Sequence, residues 1–101
     1  MPKPSRKTFL VECYAPALDP AAAASLTSRL RAAICELDAE GRGVKWLRSF
    51  ALLGEDTFLW MLIADEAADV ALVNQRAQLS CDHVVEVLPD EPIRARPTSS
   101  A

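Results

Sequence analysis

Glu12 and Tyr14 stand two residues apart in "TFLVECYAP", where alternation puts Phe9, Val11 and Cys13 on one strand face and Leu10, Glu12 and Tyr14 on the other. A carboxylate and a phenol beside apolar neighbours can hold or move a proton. Two later stretches add to them. Arg48 lies in "VKWLRSFALL" between Trp46 and Phe50, and Glu86 lies in "HVVEVL". Val85 and Val87 are expected to face the core, which turns Glu86 outward beside the first strand. The bulky row Trp46-Arg48-Phe50 is expected to point the same way. Glu12, Tyr14, Arg48 and Glu86 are therefore candidate acid–base residues, with one Glu desolvated and another held ionised by the guanidinium. Trp46, Phe50, Phe58 and Trp60 are candidate walls for an organic ligand. A salt bridge between subunits, from a Glu to Arg48, accounts for the same polar residues without catalysis.

Metal chemistry has one local set of donors, Cys81-Asp82-His83, which holds the single histidine of the chain. Nickel and zinc take several nitrogen or sulfur donors in defined geometry. His83 is the candidate ligand, helped by Cys81 or by a second subunit. The plainer reading makes Asp82 a turn residue capping the strand entry and His83 a surface side chain. Cys13 and Cys35 read as small buried hydrophobes with no histidine placed to activate them. The three glycines are scattered and form no phosphate loop.

These residues need elements to place them. Residues 8–15 read as a strand, and Asp19 with Pro20 then signals a helix start. Leu26, Leu30, Ile34 and Leu37 follow at near-helical spacing until Gly41 and Gly43. Residues 44–53 read as a second strand, 54–56 as a turn, and 57–64 as a third strand, apolar on both faces. Asp65 or Glu66 opens a second helix with Val70, Val73 and Ala77 buried, and 83–88 form a last strand. The fold class is α+β, a ferredoxin-like βαββαβ domain over residues 8–88. The right-handed crossover rule gives an antiparallel sheet in the order 4-1-3-2 with two helices on one face. Residues 1–7 and the Pro-rich 89–101 read as a disordered leader and tail.

Two helices cover one face of such a sheet, yet neither Phe58-Trp60-Leu62 nor Leu59-Met61-Ile63 is polar. One of these rows must lie on the open face, which predicts a homodimer formed as a barrel or as two stacked sheets. A net charge of −3 supplies no basic patch for nucleic acid. No stretch is long and apolar enough to span a membrane, and no secretory signal is evident. Three widely spaced cysteines without a C-x-x-C fit reduced thiols in a cytoplasm.

The strand "FLVECY", the segment "VKWLRSF", the "GED" turn before "TFLW" and the run "NQRAQLSCDHVVEV" together resemble a family of small bacterial ferredoxin-like α/β domains. These are commonly labelled nickel-binding or of unknown function. The resemblance implies this fold, a dimer and, by its label, nickel. From the residues themselves the expected function is a homodimer binding a small apolar organic molecule without a cofactor, in its strongest form an isomerase or cyclase. Nickel binding and a purely structural dimerisation module are the alternatives.

Overall fold

Each element begins where the sequence offers a reason for it. Asp19 Oδ1 accepts the Ala22 N–H at 2.8 Å and Pro20 occupies the first turn, so α1 runs Pro20–Ala39. It stops because Gly41 and Gly43 adopt left-handed backbone, with φ of 92° and 74°. Glu66 and Asp69 form a capping box that opens α2, Ala67–Ala77. The strands are β1 Lys7–Tyr14, β2 Lys45–Leu52, β3 Thr57–Ala64 and β4 His83–Val87. A short 3-10 turn, Leu53–Glu55, joins β2 to β3. The computed structural model describes residues 6–88, so the tail and most of the leader read as disordered lie outside the described residues. Lys7, read as part of that leader, opens β1 instead.

The sheet order is β2-β3-β1-β4, the expected 4-1-3-2 read from the other edge, and each pairing is antiparallel. Phe9, Val11 and Cys13 of β1 and Phe58, Trp60, Leu62 and Ala64 of β3 are buried with Leu30, Ile34 and Leu37 of α1 and Val70 and Val73 of α2. Burial of each large side chain contributes about 1.5–3 kcal/mol, which makes this layer the main source of stability. Across it, Thr27 Oγ1 and Ser49 Oγ lie 3.1 Å apart, and Arg76 on α2 contacts Glu36 on α1 and Glu40 at the C-cap of that helix.

Three placements differ from the sequence reading. Phe58 and Trp60 are fully buried under the helices, so neither walls an open site. A bulge between Trp46 and Arg48 splits the second-strand row. Trp46 pairs with Leu62 and stacks on Trp60 at 6.3 Å on the helix side, while Arg48 and Phe50 pair with Met61 and Leu59 on the other. Glu86 pairs with Phe9, and antiparallel partners share a face, so Glu86 lies on the helix side while Val85 and Val87 lie on the open side. Inward apolar alternation is a weak guide here because β4 is an edge strand. His83 through Glu86 are all exposed, and no helix demands an apolar row from them.

Candidate functional site

The open face can be read as rows crossing all four strands. Phe50, Leu59, Glu12 and His83 make one row, and Arg48, Met61, Leu10 and Val85 make the next. Leu52, Thr57 and Tyr14 border the first row at one end of the sheet. Leu10, Leu59, Met61 and Ile63 are half-buried along the middle, while Phe50, Leu52, Val85 and Tyr14 are exposed. Apolar area of this extent, left uncovered on a water-facing sheet, marks a binding or association surface.

The polar residues of this face are few and their placement is specific. Glu12 and His83 are direct cross-strand partners, and facing side chains in such a pair start about 4.5–5.5 Å apart at Cβ. The structure therefore brings together two residues that the sequence reading assigned to different chemistries. Tyr14 lies two residues from Glu12 on the same face. Arg48 is two strands away, separated from β1 by Met61, and belongs to the far wall rather than to the pair. Of the four candidate acid–base residues, Glu12, Tyr14 and Arg48 share the open face and Glu86 does not. Of the four candidate walls, Phe50 alone does.

Asp82 explains how the pair is held. Its Oδ2 accepts the Tyr14 N–H at 2.9 Å and its own N–H donates to Glu12 O at 3.0 Å, which sets the β4 register so that His83 meets Glu12. Asp82 caps the strand entry, as the plainer reading had it. The larger correction concerns cysteine. Cys13 and Cys81 form a disulfide, with Cα atoms 4.3 Å apart, and Cys35 remains a free, exposed thiol. The predicted strand order already contained the signal. The first and last strands are antiparallel neighbours, and the two cysteines lie near matching ends.

The disulfide also decides how well a metal fits. Cys81 is spent in it and Asp82 is spent on Tyr14, which leaves His83 and Glu12. Among the described residues no group of three His, Cys, Asp or Glu could hold a metal ion. The donor set that the described residues of one chain supply does not fit a nickel or zinc centre.

On the opposite surface a groove of about 220 Å³ lies between the helices, lined by Arg29, Glu36 and Arg76 among others. The sequence reading passed over it. Its cations are engaged, since Arg29 donates to Ala77 O and Gln78 O and Arg76 donates to Glu36 and Glu40. That arrangement joins the helices and leaves no free cation for a ligand.

No helix among the described residues is long and apolar enough to cross a membrane. Compared with known proteins, the chain matches no family model and no curated protein. Among solved structures it is similar to SCO4226 from Streptomyces coelicolor A3(2), with a TM-score of 0.66 and 17% identity over 87% of this chain and 99% of that one. At that identity the likeness shows the fold, and the fold is the α+β sheet with two helices described above.

Proposed function

We propose that this protein is a homodimer, joined through its open sheet faces, that binds a small and largely apolar organic molecule beside the Glu12–His83 pair. One observation carries the reading: a carboxylate and an imidazole occupy paired positions on a sheet face whose centre is the apolar set Leu10, Leu59, Met61 and Ile63. Apposition of two such faces would exclude water and enclose the pair. In that setting the pair can take a proton from a bound molecule at one atom and return it at another, with Tyr14 two residues from Glu12 to stabilise developing charge and Arg48 contributing from the far wall to a ligand that spans the face. This is the chemistry of a cofactor-free isomerase or cyclase.

Nickel, which the family resemblance suggests, would need donors from a partner subunit as well as His83 and Glu12. The cytoplasmic setting was read from reduced thiols, and the disulfide withdraws that support. A Cys13–Cys81 bond suits an oxidising compartment, or a cytoplasm in which the pair is redox-active.

Light scattering with a titration of the apolar fluorophore 8-anilinonaphthalene-1-sulfonate tests the proposal. The expected result is twice the 11.0 kDa chain mass and saturable fluorophore binding. A monomer at micromolar concentration, or a dimer that takes up no fluorophore, would sink it.

A further inference from the structure

β4 is weakly held by packing. His83, Val84, Val85 and Glu86 are exposed, Val87 is half-buried, and the helices cover the other three strands. Its attachments are the ladder to β1, the two Asp82 hydrogen bonds and the Cys13–Cys81 bond at its entry. The disulfide closes 68 residues of chain and, among the described residues, is the one covalent cross-link that adds to the backbone in tying the entry of this strand to the core. Short edge strands with little buried apolar area are where local opening concentrates.

The surroundings of the two sulfurs suit the reduced state as well. Cys81 Sγ lies 3.3 Å from Asn74 Oδ1. A disulfide sulfur has no proton to donate, so this acceptor is satisfied by Cys81 only as a thiol. Cys13 is 5% exposed among Val11, Phe58 and their neighbours, where a neutral thiol is accommodated as a small hydrophobe. Cys81 is half-buried and is the more exposed residue of the two.

We infer that Cys13–Cys81 is a reducible clasp: its reduction releases β4 from the sheet while the rest of the fold persists. The reductant is a dithiol. Its thiolate attacks Cys81 Sγ, the S–S bond breaks, and Cys13 leaves as a thiolate that takes up a proton. The second thiol of the reductant then attacks the mixed disulfide and frees Cys81, so two electrons pass to the protein and the reductant becomes a cyclic disulfide. Release makes β1 an edge strand and carries His83 away from Glu12. The clasp rests on the disulfide and on β4 alone, and holds whether or not the open face binds a small molecule.

Hydrogen exchange on the full chain carrying Cys35→Ser, with and without excess dithiothreitol, tests this, with free thiols counted in each state. The expected result is no free thiol before reduction and two after. Exchange in 83–87 should be at least about tenfold faster after reduction, with β2 and β3 changed by less than about twofold. The added changes Cys13→Ala and Cys81→Ser should reproduce the reduced pattern without reagent. Free thiols before reduction, unchanged exchange in β4, or loss of protection throughout the sheet would each overturn the inference.

Discussion

The burial of Trp60 decides whether the two tryptophans belong to the core or to a ligand site, and substitution there separates the cases. Trp60 is fully buried at the middle of β3, stacked on Trp46 with an interplanar angle of 10°, and its Nε1 has no hydrogen-bond partner. Replacing indole by phenyl in Trp60→Phe surrenders roughly 40 Å² of buried apolar area, or about 1 kcal/mol, plus part of a stacking term of about 0.5–1.5 kcal/mol. The same change removes a desolvated donor that costs about 1–3 kcal/mol when unpaired. These contributions nearly cancel, so Trp60→Phe should lie within about 1 kcal/mol of the wild type. Trp60→Ala has no such offset and should cost about 3–5 kcal/mol. Urea denaturation followed by circular dichroism measures both. In thermal scans the Ala variant should melt at least about 12 °C lower, and the Phe variant less than about 8 °C from wild type. A Phe variant as unstable as the Ala variant would mean that Nε1 has a partner, such as a buried water. If both variants kept full stability and instead lost binding of the apolar fluorophore, Trp60 would belong to a ligand site and its placement in the core would be wrong.

Met61→Lys puts a charge at the centre of the open face without touching the helix-side core, and should convert the proposed dimer to a folded monomer by light scattering. A dimer that tolerates it is not joined through this face. Nickel calorimetry should show no tight site in that monomer, since the described residues of one chain bring together only His83 and Glu12 on this face, and tight binding there would mean other ligands. Glu40 is held below the ordinary carboxylate range by its hydrogen bond from Arg76. A lowered folded value contributes stability above the unfolded value that is lost as pH falls through the folded one. Arg76→Gln should therefore flatten the small acid-side loss of stability that begins near pH 4.5 and extends below it.

The fold was legible because its signals are local and agree with one another. Asp19-Pro20, the Gly41 and Gly43 stop and the alternation of β1 each have a physical cause in neighbouring residues. The site was only partly legible, because faces depend on register, and register is a long-range property. A single bulged residue near Leu47 sent Trp46 and Arg48 to opposite sides, and no local feature of "VKWLRSF" announces it. Glu86 was misplaced through trust in apolar alternation on an edge strand, where both faces meet water. His83 was read as a metal ligand or a surface side chain and not as a partner of Glu12, although the Asp82 hydrogen bonds that set their register come from the turn residue next to it. The disulfide is a different kind of miss, since the predicted strand order already brought Cys13 and Cys81 to adjoining ends.

Whether Glu12 serves a ligand or merely orients a dimer turns on Arg48. Within one chain Arg48 and Glu12 lie in adjacent rows and are separated by β3, with Met61 and Leu59 between them, so a Glu12–Arg48 salt bridge has to come from a partner subunit. If Glu12 meets the partner's guanidinium in a dry interface, breaking the pair leaves a buried charge alone, which costs about 3–5 kcal/mol. Glu12→Gln would then weaken the dimer by more than about a hundredfold, and so would Arg48→Gln. A double charge reversal, Glu12→Arg with Arg48→Glu, would restore it. If Glu12 instead lines a cavity, its charge has no partner to lose. Glu12→Gln should then change the dimer constant by less than about fivefold, a loss of about 1 kcal/mol. Proton transfer should fall by at least about a hundredfold when the general base goes. The base-promoted opening of 5-nitrobenzisoxazole reads that transfer without knowledge of the natural substrate, because a base removes its C3 proton as the N–O bond breaks. The expected outcome is a dimer that survives Glu12→Gln and His83→Ala, with catalysis of this probe lost in Glu12→Gln. A dimer that falls apart in Glu12→Gln and re-forms on charge reversal would assign Glu12 to the interface and leave the open face without an acid–base role.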